Sequence, residues 1–184
     1  MNKVKTRNLL VLVHLFLAAF LAPSFLLVGI TGALKLAGVD PAIVDISIEL
    51  PADTQIDPDS PTLKQDIGAV LAAQGINLDI ESVRSRGGKM TTRPTSRTFA
   101  RINETPDGLE ASLHKPGFQY AMMELHKGHG PALFKTYQLI AGIALFLVIV
   151  GGLVVGLMAR AYRRKTLVSL ALGTMAFWAL GFAI

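Results

Sequence analysis

Leu9-Leu-Val-Leu-Val-His-Leu-Phe-Leu-Ala-Ala-Phe-Leu-Ala-Pro-Ser-Phe-Leu-Leu-Val-Gly-Ile-Thr-Gly-Ala-Leu34 is a run of 26 residues without a Lys, Arg, Asp or Glu. A bilayer core needs about 20 apolar residues as helix. In lipid only helices and closed barrels satisfy their backbone groups, and barrel strands would alternate rather than run on. The stretch therefore reads as a membrane-spanning helix. A secretory signal is the competing reading, since Lys3, Lys5 and Arg7 precede the run. Its apolar segment would be only about 7–15 residues, so a retained helix is expected.

Two further runs follow the same rule. Thr136–Ala159 and Thr166–Ile184 are also free of charged residues. Between the first two runs the character of the chain changes. All 13 acids lie between Lys35 and Pro131, against 10 Lys and Arg there. Over the whole chain 51% of residues are hydrophobic, 17% are charged, and mean hydropathy is +0.47.

The formal charge of +5 is a matter of placement. Lys3, Lys5 and Arg7 precede the first run, and Arg160, Arg163, Arg164 and Lys165 separate the second from the third. Two helices lie between these basic segments, so both fall on one side. The excess of cations in cytoplasmic loops makes that side the cytoplasm. Expected boundaries are then a cytoplasmic N-terminus at 1–8, transmembrane helix 1 at 9–34, and an outer domain at 35–131. Transmembrane helix 2 at 132–159, a cytoplasmic loop at 160–165 and transmembrane helix 3 at 166–184 follow. Tyr162 and Trp178 suit the inner and outer interfaces. The charge excess is confined to two short segments, which excludes nucleic acid as a partner and leaves membrane lipid. With no cysteine, disulfides, thiolate catalysis and cysteine-ligated metals are excluded.

Within 35–131 the pattern is strand, helix, then a strand meander. Ile43–Leu50 alternates as a strand. Ser60 followed by Pro61 suits a helix start, and Leu63, Ile67, Val70 and Leu71 mark one buried face of a helix over 61–74. Gly75 is placed to end it. Strands are expected at 79–86, 89–93, 97–103 and 109–114, with turns at Gly87-Gly88 and Pro106-Asp-Gly108. This is a small α+β domain, one helix on an antiparallel sheet. Arg84, Arg86, Lys89, Arg93, Arg97 and Arg101 occur there without an intervening acid. They read either as solvated strand edges that discourage pairing, or as a face for an anionic ligand, lipid headgroups or an acidic partner.

The candidate chemistry is sparse. No nucleophile motif, phosphate loop or dinucleotide fingerprint is present, so no catalytic residue is assigned and an enzyme is not expected. His14 sits inside the first run, where an ionisable residue is a functional candidate by default. Glu124, His126 and His129 offer three donors for a metal, against a plain helix joint at Gly128, Gly130 and Pro131. Gly29 and Gly32, and Gly152 and Gly156, are spaced for close helix packing, within the chain, with another membrane protein, or with a second copy. Pro23 is expected to bend the first helix.

Two stretches carry a resemblance. His14 through Thr31-Gly32 to Leu34 is one; Leu125-His-Lys-Gly-His-Gly130, with Lys135-Thr-Tyr, Gly142 and Gly151-Gly152, is the other. Both resemble the PepSY-associated transmembrane family. Its first helix starts near a His and ends in a Thr-Gly pair, and a Leu-His-x-Gly signature leads into its next helix. The resemblance implies an α-helical membrane protein with three transmembrane helices and a small α+β PepSY-like extracytoplasmic domain. It implies a bacterial inner membrane, with the domain in the periplasm. Some larger relatives resemble ferric-siderophore reductases, which pass electrons through histidine-ligated haem b in iron uptake. By motif position His14 and His126 are the residues this would assign to haem. At about 1.5 Å per helical residue, His14 and Thr31 lie roughly 25 Å apart, which puts His14 toward the cytoplasmic side; His126, ahead of Lys135, lies at or above the outer surface, so the two cannot serve one haem. Met122, Met123 and Met158 are the thioethers that could complete either site. The expected function is therefore a non-enzymatic accessory, docking or regulatory subunit. A haem b electron-transfer component and a periplasmic metal-handling protein are the alternatives.

Overall fold

The computed structural model describes residues 3–51, 53–106 and 108–182. The element order is α1 (Lys3–Leu36), β1 (Ile43–Ile48), α2 (Leu63–Ala73), β2 (Ser82–Arg86), β3 (Lys89–Arg93), β4 (Phe99–Thr105), β5 (Gly108–Pro116), α3 (Phe118–His126), α4 (Ala132–Met158) and α5 (Arg160–Phe182). Three of these helices, α1, α4 and α5, are long and apolar enough to cross a membrane. The chain divides into two compact units: Phe25–Gln138, and Met1–Ser24 with Leu139–Ile184.

In the first unit five antiparallel strands form one sheet in the order β1-β5-β4-β3-β2. The meander β2 to β5 is built from local turns. Gly87 and Gly88 both have positive φ, 56° and 70°, which a two-residue hairpin turn between right-twisted strands requires. Of the second expected turn, Asp107 lies outside the described residues; Thr105 pairs with Gly108 around it. β1 closes the sheet at β5, with Ile43 opposite Pro116 and Ile48 opposite Ala111.

Side chains alternate between the two faces of a sheet. Ile48, Met90, Ala100, Ile102 and Ala111 occupy one face and bury against Leu63, Ile67 and Leu71 of α2, with Ile56 and Ile80 at the margins. The three α2 positions are four apart, so they form one stripe. Ile67 is 0% exposed, and full burial of such a side chain stabilises by about 1.5–3 kcal/mol.

Several boundaries differ from the sequence expectation. α2 begins at Leu63 rather than Pro61, because Ser60 and Thr62 hydroxyls both reach Asp66 Oδ2, at 3.1 and 3.0 Å. Ser60 Oγ also accepts the Thr62 N–H in a tight turn before the helix. α3 has no counterpart in the sequence pattern: Phe118–His126 buries only Met123 and Glu124, too few for a clear periodic stripe. Arg160–Lys165, expected as a loop, is the first part of α5, and only Ala159 separates it from α4. Arg and Lys are good helix formers and no Gly or Pro interrupts them. The Arg163 guanidinium donates to Leu157 O at 2.8 Å, capping a terminal carbonyl of α4. Pro23 lies inside an unbroken α1.

In the second unit His14 of α1 packs on Gly152 of α4: a Cβ at Gly152 would lie 3.1 Å from the imidazole Cε1. Gly156 gives the same close approach to Thr166 of α5. Every other described residue of α5 is exposed.

Candidate functional site

The segment Leu125-His-Lys-Gly-His-Gly-Pro131 forms the joint between α3 and α4. Gly128 has φ +75°, and its N–H bonds Leu125 O while that of His129 bonds Glu124 O. This is the paired arrangement that ends a helix on a left-handed glycine. Gly130 is required for a different reason. A Cβ there would fall 2.6 Å from Leu125 Cδ2 and 3.2 Å from Phe134 Cδ1.

Glu124 is the centre of a buried polar cluster at this joint. Its side chain is 7% exposed. It accepts from Thr95 Oγ, from Lys127 Nζ at 2.9 Å and from His129 Nδ1 at 2.8 Å, with Arg93 Nη1 3.9 Å away. Arg93 also donates to Thr95 Oγ at 3.0 Å. Burial pushes the Glu124 carboxyl up, but the hydrogen bonds from Lys127, Thr95 and His129 outweigh it and hold its pKa below the ordinary value. Burial pushes the Arg93 guanidinium down, against the attraction of Glu124. Tyr120, one turn earlier on α3, is raised by burial and by the Glu124 charge. The loop after β3 adds a backbone bond, Thr95 N–H to His129 O at 3.1 Å. Glu81 caps the next helix by accepting the Ala132 N–H at 2.8 Å, where a carboxylate also meets the positive end of the helix dipole.

His126 turns away from this cluster. Thr31 Oγ donates to Leu27 O at 2.6 Å, so its lone pair is left to accept from His126 Nδ1 at 2.7 Å. Gly32 lies alongside, its Cβ position 3.9 Å from His126 Cε1. The Thr31-Gly32 pair and the Leu125-His126-Lys127-Gly128 signature, far apart in sequence, thus meet in space. The donor set Glu124, His126 and His129 is accordingly divided: Glu124 binds His129, and His126 binds Thr31. Among the described residues no three His, Asp or Glu side chains are grouped to hold a metal ion.

His14 lies in the other unit. Its Nδ1 donates to Val148 O at 3.0 Å, which leaves Nε2 as the atom that could ligate. It lines a cavity of about 530 Å³ with Arg7, Gly152 and Tyr162 among the other walls. Of the packing glycines, Gly32, Gly152 and Gly156 receive a neighbouring side chain and Gly29 has nothing within 4 Å.

One constellation leaves no trace in the sequence pattern. On β5, Ser112 Oγ lies 2.9 Å from His114 Nε2, and His114 Nδ1 donates to Asp45 of β1. The connection order is that of a hydrolytic triad, but the burial is inverted. Here the imidazole is buried, stacked on Phe99 with ring centroids 4.8 Å apart, and the carboxylate is 59% exposed. β5 is flanked by β1 and β4, so its amides are engaged in the ladder rather than free to hold an oxyanion. The chain of bonds serves to satisfy a buried histidine. No sequence signal could have joined Asp45 to His114, because their meeting depends on the register of β1 against β5.

Comparison with known protein families, with curated proteins and with solved structures finds no match.

Proposed function

We propose that the chain is a non-enzymatic accessory subunit of a bacterial inner-membrane complex. Its PepSY-like domain lies in the periplasm as a docking or regulatory element, and its helices pack against a membrane protein or a second copy. The orientation, with the N-terminus and Arg160–Lys165 in the cytoplasm, follows from where the cations lie.

The observation that carries this reading is the joint. A domain merely tethered to the membrane needs only a flexible linker. Here polar contacts tie the domain to the end of α1 through the half-buried bond between Thr31 and His126, and to the start of α4 through the exposed cap of Glu81 on Ala132. That construction suits a domain whose state must be felt by helices. α5, exposed along its length, supplies apolar surface for a partner helix.

The chain has no native cysteine, so a single Leu172→Cys on α5 allows clean cross-linking in native membranes. A discrete higher-mass adduct, lost when Glu124→Gln loosens the joint, is the expected result. Monomer and lipid adducts alone would refute the reading.

A second reading, a haem b electron-transfer component, has its own support in His14. Its Nδ1–H is fixed by a backbone carbonyl, as metal-ligating imidazoles commonly are. Arg7 and Tyr162 share the cavity wall. Haem bound there would supply one-electron chemistry, and His14 and Arg7 are the residues that would hold it. The absorption spectrum of the purified protein decides: a Soret band lost in His14→Ala supports this reading, and a colourless protein refutes it.

A further inference from the structure

Strand register decides where the cations of 84–101 go. Arg84 stands opposite Thr91, which stands opposite Arg101; Arg86 stands opposite Lys89, which stands opposite Asn103. Alternation therefore puts Arg84, Arg86, Lys89 and Arg101 together on the face that does not carry α2. The other two are engaged, Arg93 with Glu124 and Arg97 with Asp79 and Glu81. The four form no ion pair among the described residues. Arg84, Arg86 and Lys89 are exposed. Arg101 is half-buried, with its guanidinium carbon 5.9 Å from the centre of the Phe99 ring. Asp45 and Glu110, acids of the same face, lie on β1 and β5. Glu104 packs at the Gly88 turn without pairing to any of the four. The face is cationic over β2 to β4 and acidic over β5 and β1.

The same face carries α3, since Tyr120 stacks on Phe99 with ring centroids 6.3 Å apart. α3 in turn is bonded to α1 through Thr31 and His126. It is bonded to α4 through Gln138 Nε2 and Leu125 O at 2.6 Å. So α3, with the parts of α1 and α4 that belong to this unit bonded to it, lies on the sheet face that carries the cations, and α2 lies on the opposite face. Leu36 at the end of α1, Leu133 at the start of α4 and Phe118 at the start of α3 are 92%, 87% and 82% exposed.

We infer that this sheet face rests on the bilayer and binds anionic lipid headgroups through Arg84, Arg86, Lys89 and Arg101. The occupant is set by complementarity and by place. Unpaired cations at a membrane surface attract anionic lipid, and exposed apolar residues beside them enter the headgroup boundary. An acidic protein would have to reach the same face between the domain and the membrane. The inference rests on α1 and α4 crossing a bilayer and is independent of any partner subunit.

The test uses the full chain with Thr91→Cys, a site on this face between Arg84 and Arg101, carrying a fluorophore. The protein is placed in phosphatidylcholine nanodiscs with or without phosphatidylglycerol, each containing a headgroup-attached quencher. Quenching is expected to be several-fold stronger with phosphatidylglycerol. About 1 M salt, where the screening length falls to about 3 Å, abolishes the difference. Each cation near an anionic surface is worth roughly five-fold in association. Arg84→Gln, Arg86→Gln and Lys89→Gln together should therefore weaken it by about a hundred-fold, with strand circular dichroism unchanged. Equal quenching in the two lipids overturns the inference. So does loss of quenching to inorganic phosphate at matched ionic strength, which would assign the face to a free anion. A chain that does not enter the discs removes the membrane premise, and the inference falls with it; a missing partner in the cross-linking experiment leaves it standing.

Discussion

Glu124→Gln removes the negative charge at the centre of the α3–α4 joint and keeps its volume. A hydrogen bond to a charged group contributes about 1.5–3 kcal/mol. The bond from Lys127 counts for less, because that side chain is 49% exposed and exposed pairs are worth about 0–1 kcal/mol. Thr95, His129 and Arg93 remain. Removing one partner of a buried pair costs about 3–5 kcal/mol, and the glutamine oxygen still accepts one bond. The expected loss is therefore about 2–4 kcal/mol. If the domain opens as a unit, that is roughly a 30- to 1,000-fold faster amide exchange, at about 1.4 kcal/mol per tenfold.

Hydrogen exchange of the full chain in detergent, read over residues 93–105 and 118–131, measures this without interference from the apolar helices. Acid supplies a second signature. The folded Glu124 pKa is below the ordinary value, so the folded state binds fewer protons than the unfolded one. Its contribution is fully present above the unfolded carboxylate pKa of about 4.3. It disappears as pH falls through the lower, folded value. The wild-type protein should lose protection in that window relative to Glu124→Gln. Equal protection in the two proteins at neutral pH, with parallel acid dependence, would refute the role of Glu124 as the centre of the joint.

Gly130→Ala should destabilise the joint by about 1–3 kcal/mol, the usual cost of overpacking, seen as a lower thermal midpoint. Leu125 must move, since the new Cβ would lie 2.6 Å from its Cδ2. Thr31→Val keeps shape but strands the Nδ1 donor of His126. A cost of about 1–3 kcal/mol should appear as faster exchange at 125–129, with the β2–β5 strands less affected. Glu81→Gln weakens the cap on Ala132 and should cost about 0.5–1 kcal/mol, an effect that shrinks with added salt. A salt-independent loss would assign Glu81 a packing role instead.

The spans are legible in the sequence because lipid imposes one rule on every backbone amide, and an uncharged apolar run of about twenty residues meets that rule as a helix. The α2 stripe of Leu63, Ile67 and Leu71 is legible for a related reason, since one period serves one buried face. The meander follows from glycines, and Gly87-Gly88 turn as their positive φ requires. What the sequence hides is set by tertiary register. α3 buries Met123 and Glu124, and a buried carboxylate breaks the apolar pattern that would announce the helix. The joint glycines, His126 and the Thr31-Gly32 pair stand out as residues, but that Thr31 receives His126 depends on a packing no spacing encodes. Charge alone suggests a loop at Arg160–Lys165, whereas these basic residues form the first turns of α5.

The two buried contacts of the joint act on each other through α3. Glu124 holds one end of the β3 loop through Thr95 and Arg93, and His126, two residues on, holds α1 through Thr31. A nine-residue helix that ends on a left-handed glycine has little freedom to rotate one of these residues without the other. Polar clusters of this kind lose disproportionately when partly satisfied, so a rotation of α3 that breaks one of these contacts is costly for the other. Anionic headgroups pulling on β2 to β4 would act on the same loop through Arg93, whose strand carries Lys89. The β3 loop and the end of α1 thus both bear on α3, through Arg93 and Glu124 at one contact and through Thr31 and His126 at the other.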